Sequence, residues 1–279
     1  GYRRFIGAYL VCGEEKKAVV ETGPSAAVPN LLAALDDLGV PPDEIDYIVL
    51  THIHIDHGGG AGAAARAMPN ARVVVHERGR RHLADPARLW QASIDTLGDL
   101  ARRYGEIEAV PEERIVAATD EMEIDLGGVV LETLLTPGHA PHHLSVYCKP
   151  DKVLIAGEAT GTCFDGKPRP ATPPPFRLDV SLASIDRLIA LAPDRVCFGH
   201  FGCYDDAVAR MRAARQQLVT WYETVNAAAA AGKEPAEILA RLREEDTALD
   251  FLNNLDEATF EREHSLLFNT IRGMTETRN

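Results

Sequence analysis

The stretch Thr51-His52-Ile53-His54-Ile55-Asp56-His57 decides how this chain is interpreted. It places three imidazoles and one carboxylate within six residues, directly after the apolar run Tyr47-Ile48-Val49-Leu50, which predicts a buried strand. Alternate residues of an extended chain point to the same side, so we expect His52, His54 and Asp56 to converge. A buried polar group without a partner costs about 1–3 kcal/mol, and one metal ion satisfies several such groups together. A metal site therefore explains this stretch better than a solvated polar loop does.

The composition of the 279-residue chain argues against some classes of partner. A formal net charge of −13 is unlike the basic surface of proteins that bind nucleic acids or anionic membranes. We therefore expect a small-molecule substrate, with a homodimer as a second expectation. The five cysteines are scattered and odd in number, which favours free thiols in a reducing compartment and predicts a cytoplasmic protein. No apolar run approaches the roughly 20 residues that span a bilayer, and no signal peptide is visible.

Hydrophobic patterning predicts an α/β domain followed by helices. Strands alternate with helices early in the chain; one predicted helix covers residues 26–38 and is capped by Ser25. The proline-rich segment 166–175 predicts an irregular loop. We expect a catalytic domain at residues 1–204. A helical extension at 205–279 is expected to cap the site, contact substrate or form a dimer face.

The same motif resembles a known family. Residues 51–57 match Thr-His-x-His-x-Asp-His, the signature of the metallo-β-lactamase superfamily, and three further matches follow in the family's order. Residues 136–143 (TPGHAPHH) resemble its Thr-Pro-Gly-His-Thr-Pro-Gly-His segment, 154–158 (LIAGE) its strand ending in Gly-Asp, and 198–202 (FGHFG) its last motif. The resemblance covers roughly residues 5–204. It implies a four-layer αββα sandwich with a C-terminal helical extension.

The resemblance also implies a site for two divalent metal ions, expected to be zinc, with iron and manganese as alternatives. It assigns the ligands as follows: His52, His54 and His139 on the first ion, Asp56, His57 and His200 on the second, and Glu158 in the bridging position. A hydroxide bound to the metals is the implied nucleophile, and the ions would polarise the attacked carbonyl. Asp56 is implied as a catalytic residue that orients the attacking water or moves its proton.

Three of the departures from the family pattern concern polar side chains near the implied site. Glu21 stands where the family usually has an aspartate that supports the metal ligands, and Glu158 replaces the bridging aspartate. The extra methylene of Glu158 moves its carboxylate by about 1.5 Å. Either Glu158 still bridges both ions, or it binds one ion only. His142 replaces a glycine of the family segment.

The implied function is hydrolysis of a small ester, thioester or lactone. Two alternatives remain open on the same fold: a non-heme iron redox enzyme of the persulfide dioxygenase or flavodiiron type, and a weakly active, metal-containing regulatory protein. Residues that contact substrate are not identified by any motif. His143, Phe176 and Tyr204 are weak candidates. A structural role is favoured for His143 and is as acceptable as substrate contact for Phe176 and Tyr204.

Overall fold

The computed structural model describes residues 5–276, so the outer ends of the two predicted domains, residues 1–4 and 277–279, lie outside the described residues. Contacts between residues divide the chain into two compact units. The N-terminal unit contains Ile6–Leu135 and His142–Ala156, and the C-terminal unit contains Phe5, Thr136–Pro141 and residues 157–276. The C-terminal helices thus share a unit with the strands that precede them. The division at residues 204 and 205 stays a prediction.

The N-terminal unit contains a five-stranded sheet. Its strands are, in sheet order, β1 (Tyr9–Cys12), β2 (Lys17–Val20), β3 (Tyr47–Val49), β4 (Arg72–His76) and β5 (Ile115–Ala118). β1 and β2 are antiparallel, whereas β2 to β5 pair in parallel. Parallel neighbours need crossover connections, which agrees with the predicted alternation of strands and helices. The strands deliver apolar side chains such as Ile48, Leu50 and Val73 to a fully buried core.

Helices fill the connections of this sheet. They are α1 (Val28–Asp37), α2 (Ile55–Gly58), α3 (Ala61–Ala67), α4 (Glu77–Ala84), α5 (Ala87–Leu97) and α6 (Asp99–Tyr104). The predicted cap at Ser25 is wrong, because a 3-10 turn at Ser25–Ala27 precedes α1. The Ser25 hydroxyl instead lies 2.8 Å from the carbonyl oxygen of Gly59 and 2.6 Å from that of Glu106. These carbonyls are distant in sequence, so local propensity did not reveal them.

A second group of strands completes the N-terminal unit. It consists of β6 (Met122–Asp125), β7 (Val130–Leu135), β8 (Leu144–Cys148) and β9 (Val153–Gly157), which pair in that order and are antiparallel throughout. All five residues of β8 are buried. Gly157 ends β9 at a positive φ of 57°, a conformation that glycine adopts without strain. The chain turns there and leads into Glu158.

The C-terminal unit combines two hairpins with long helices. The hairpins are β10 (Thr162–Phe164) with β11 (Lys167–Arg169), and β12 (Arg195–Phe198) with β13 (Cys203–Asp205). The helices are α7 (Leu178–Ala190), α8 (Ala207–Ala230), α9 (Pro235–Glu245) and α10 (Glu257–Thr275). Part of the proline-rich segment therefore forms a strand, contrary to the prediction. Pro168 is tolerated because β11 pairs with one neighbour only, so a missing backbone donor costs little there.

The helices of this unit share an apolar core. Trp221 of α8, Leu239 of α9 and Ile271 of α10 are buried together, and the Trp221 indole donates a hydrogen bond to Asp246 (2.7 Å). Glu263 of α10 is fully buried and forms an ion pair with Arg169 of β11 (2.6 Å), which ties this helix to the β10–β11 hairpin. Among residues 5–276, no helix combines the length and the apolar character needed to cross a membrane.

Candidate metal centre

Four polar side chains of the N-terminal unit follow β3. The imidazole centroid of His52 lies 4.6 Å from that of His54 and 4.3 Å from that of His57. The expectation that Asp56 joins them through an extended chain is wrong, because α2 begins at Ile55 and puts Asp56 on a helical turn. Its carboxylate lies 3.7 Å from Nε2 of His57. The turn, and not strand alternation, brings Asp56 beside a histidine.

Glu21 fixes the orientation of His57. The Nδ1–H of His57 donates to one Glu21 carboxylate oxygen (2.7 Å), and the backbone N–H of Thr51 donates to the other (2.6 Å). Both Glu21 and His57 are fully buried. Glu21 adopts a φ of 71°, which is unusual for a residue other than glycine and is typical of functional sites. Glutamate at this position therefore supports a histidine, as the sequence predicted for the family aspartate.

Three further candidates come from the loops of the C-terminal unit. His139 lies in Thr136–Pro141, Glu158 directly follows β9, and His200 lies between β12 and β13. Nε2 of His139 is 3.0 Å from one oxygen of Glu158, and Nε2 of His200 is 3.6 Å from the other. The Glu158 carboxylate thus faces two histidines, one with each oxygen. All three side chains are buried.

Backbone carbonyls orient the two histidines of this unit. Nδ1 of His139 is 2.9 Å from the carbonyl oxygen of Ala171, and Nδ1 of His200 is 3.1 Å from that of Phe5. A carbonyl only accepts, so each Nδ1 carries a proton and each Nε2 is turned toward Glu158. This is the orientation that histidine ligands of metals generally have.

The electrostatics of these groups fit a metal ion. A carboxylate oxygen about 3 Å from Nε2 requires either a proton or a metal cation between the two atoms, because a bare lone pair at Nε2 would be repelled. Ligand atoms placed about 2.0–2.1 Å from a tetrahedral ion are about 3.3 Å apart. The distances of 3.0 and 3.6 Å around Glu158 bracket that value. The side chains of His52, His54, Asp56, His57, His139, Glu158 and His200 are therefore candidate metal ligands.

A disulfide encloses the loop that carries His200. Cys197 of β12 and Cys203 of β13 lie opposite each other in the antiparallel pair and are joined by a disulfide. The prediction that all the cysteines are free is wrong for these two. The reason is the hairpin, whose register brings both residues together. Cys163 is free and buried, and burial raises the pKa of its thiol, which does not suit a nucleophile.

The residues suggested as substrate contacts differ in their surroundings. His143 is fully buried, and its ring centroid is 5.1 Å from that of His52; His142 is half-buried, 5.6 Å from His54. Phe176 packs in the apolar core of the C-terminal unit, which explains it without substrate. The Tyr204 hydroxyl donates to the carbonyl of Cys163 (3.1 Å), and burial raises the pKa of Tyr204. The hydroxyl is thus held as a neutral donor.

Sequence reasoning missed the groups that orient the histidines. The carbonyls of Ala171 and Phe5 belong to residues without functional side chains, so no motif marks them. The Thr51 hydroxyl lies 3.0 Å from Nδ1 of His52, but the motif alone did not predict this contact. Among these groups, only the supporting role of Glu21 was predicted from the sequence.

Comparison with known proteins agrees with this geometry. A sequence profile described as the metallo-beta-lactamase superfamily matches residues 1–200. The metallo-beta-lactamase fold-containing protein ST1585 of Sulfurisphaera tokodaii is 34% identical over 198 residues, 70% of this chain and 72% of that protein. The solved structure of the archaeal superfamily protein ST1585 aligns with a TM-score of 0.73 and 26% identity, covering 97% of this chain and 93% of that chain. The predicted αββα fold class with C-terminal helices is confirmed.

Several relatives have names that denote hydrolases, among them a lactonase and a hydroxyacylglutathione hydrolase. The N-acyl homoserine lactonase AttM of Azorhizobium caulinodans is 30% identical over 114 residues, 41% of this chain and 40% of that protein. The hydroxyacylglutathione hydrolase of Albidiferax ferrireducens is 28% identical over 202 residues, 69% of this chain and 60% of that protein.

Proposed function

The chain belongs to the metallo-β-lactamase superfamily, and on this premise we propose that it is a hydrolase that binds two divalent metal ions and cleaves a small ester, thioester or lactone. The observation that carries the proposal is the position of Glu158. Its two carboxylate oxygens face Nε2 of two different histidines, His139 and His200, and both histidines are oriented through Nδ1. A carboxylate placed in this way suits a ligand shared by two ions.

The proposed ligand sets follow the family resemblance. They are His52, His54, His139 and Glu158 for one ion and Asp56, His57 and His200 for the other. We propose that Glu158 also binds the second ion, because its other carboxylate oxygen faces His200. Histidine nitrogen and carboxylate oxygen are the donors that zinc prefers in catalytic sites, so we propose zinc. Iron and manganese accept the same donors. Metal analysis must therefore accompany any measurement of activity.

The residues of the chain have separable roles in this proposal. Bound divalent ions would supply Lewis acidity, which lowers the pKa of water toward neutrality and polarises a carbonyl. Asp56 is less buried than the neighbouring His52 and His57, which suits a carboxylate that orients the attacking water and accepts its proton. Glu21 holds His57 in one tautomer.

The relatives support the reaction class and leave the substrate open. The names of two relatives denote a lactonase and a hydrolase of an acyl glutathione. A lactone and an acyl glutathione both contain an acyl carbon that water attacks. The acidic net charge of −13 supports a small-molecule substrate over a nucleic acid.

The proposal is tested by loading the protein with zinc and measuring bound metal together with turnover. A panel of p-nitrophenyl acetate, an acyl thioester and a γ-lactone covers the proposed class. We expect two zinc ions per chain and hydrolysis of at least one substrate. His139→Ala is expected to lower the zinc content and abolish turnover, because it removes a ligand that faces Glu158.

The matched control is His264→Ala, which removes a histidine of the same unit that stacks on Phe260 and meets Phe268 edge-on. It is expected to keep both zinc and turnover. Full zinc content and full activity in His139→Ala would contradict the ligand assignment. Stoichiometric iron with oxygen consumption in protein purified without added metal would contradict the hydrolase assignment.

A further inference from the structure

Four phenylalanine rings of the C-terminal unit form a continuous series that starts at the candidate ligand His200. The centroid of Phe5 is 4.6 Å from that of His200 and 5.6 Å from that of Phe201. Phe201 is 4.8 Å from Phe164, and Phe164 is 5.0 Å from Phe251. Such distances are typical of contacts between aromatic rings. The rings thus extend from the metal centre to the segment Thr247–Asn254.

None of the four rings is fully buried. Phe5, Phe164, Phe201 and Phe251 are all partly exposed, whereas Phe176 and Phe198 of the same unit are buried. A group of adjacent, partly exposed apolar side chains beside a candidate catalytic site is a feature of ligand-binding surfaces. The series therefore differs from the packed core of the helices.

Two arginines hold the outer members of the series. The guanidinium carbon of Arg262 is 4.5 Å from the ring centroid of Phe5, and that of Arg169 is 5.0 Å from the ring centroid of Phe251. Both arginines form ion pairs with the buried Glu263, at 3.1 and 2.6 Å. Cations held against ring faces by a buried carboxylate restrict the rings to few orientations. A rigid aromatic surface binds a ring at a low cost in conformational entropy.

We propose that these rings bind an aromatic ring carried by the substrate, so that the preferred ester or thioester has an arylacyl group. The inference rests on the proposed function, because the bond that is cleaved must lie at the metal centre beside His200. Aromatic pairs in the offset or edge-on arrangement are more stable than the same area of aliphatic contact. The surface is therefore expected to favour a ring over an alkyl chain of similar size.

Binding of carboxylates to the zinc-loaded protein tests the inference without turnover. Acetate, hexanoate and phenylacetate present the same carboxylate to the metal, so differences in their dissociation constants report on the rest of the molecule. Measured by titration calorimetry, phenylacetate is expected to bind about tenfold more tightly than acetate, with hexanoate between them. Equal affinities of the three carboxylates would contradict the inference.

The variant Phe164→Ala tests whether the ring series causes the preference for phenylacetate over acetate. It removes the middle of the series and is expected to reduce the advantage of phenylacetate over acetate from about tenfold to about threefold or less. Phe164→Leu, which removes the ring and keeps an apolar side chain, is a second variant with the same expectation for the case in which Phe164→Ala does not fold. The control is Phe260→Ala, a partly exposed ring of the same unit that contacts His264 outside the series. It should leave the affinities unchanged, and an equal loss in this control would contradict the assignment.

Failure of this inference and failure of the proposed function can be told apart. Turnover of p-nitrophenyl acetate without any preference for p-nitrophenyl phenylacetate would overturn the aromatic subsite and leave the hydrolase. Tight binding of phenylacetate without turnover of any ester, thioester or lactone would leave the subsite and overturn the hydrolase.

Discussion

The two units of the molecule present their candidate ligands by different means. In the N-terminal unit the four candidate ligands lie within six residues, from His52 to His57, and a side chain, Glu21, orients His57. In the C-terminal unit each ligand lies in a separate loop, and backbone carbonyls orient His139 and His200. A contiguous motif is recognisable in a sequence, whereas a carbonyl is common to every residue. Support by the side chain of Glu21 is therefore lost when that residue is substituted, whereas support by a backbone carbonyl is retained.

The largest difference in zinc affinity is expected between a variant that alters Glu21, which supports His57, and one that alters Ala171, which supports His139. Glu21→Gln removes the charge that faces His57 and is expected to weaken zinc binding by about 10–100-fold, as for other supporting carboxylates. Ala171→Gly keeps the carbonyl that accepts from His139, so zinc affinity should change by no more than about twofold. Competition with a chromogenic chelator measures both affinities. Equal losses in the two variants would contradict the comparison.

A smaller effect is expected from Glu158→Asp, which restores the family residue. The carboxylate retreats by about 1.5 Å, so it loses its approach to one of the two histidines in a backbone adapted to glutamate. We expect zinc binding at one of the two positions to weaken by about tenfold, since the variant loses one ligand contact of several. The measurement is zinc stoichiometry at limiting concentrations. An unchanged stoichiometry and rate would show that the longer side chain is not required here.

The smallest effect on metal binding is expected from Cys203→Ser. The disulfide encloses the loop of His200, and closing so short a loop is expected to contribute about 2 kcal/mol to the free energy of unfolding. Zinc affinity should fall only a few-fold, because the hairpin pairing and the bond from His200 to Phe5 remain. Chemical denaturation and chelator competition check the two quantities. Cys12→Ser, which removes an exposed free cysteine, is the control.

The sequence predicted much of the fold and less of the support around the site. Strand β3 at Tyr47–Val49 lies in the apolar run that predicts a buried strand, and helix α1 at Val28–Asp37 lies within the predicted helix 26–38, because the apolar patterns are strong there. Pro168 in β11 was missed, since strand pairing overrides local preference. The helical turn at Ile55–Gly58 was missed because the alternation of residues 52–56 indicates an extended chain. The ring series that ends at Phe251 also joins residues far apart in the chain. Such contacts have no local signature.

In the proposed centre, Glu158 gives one oxygen to each of two metal ions. A crystal structure of the zinc-loaded protein, with anomalous differences recorded at the zinc edge, measures this most directly. We expect two anomalous peaks per chain, one beside His139 and one beside His200, each within about 2.0–2.2 Å of a Glu158 oxygen. A single peak, or two peaks of which only one contacts Glu158, would contradict the account.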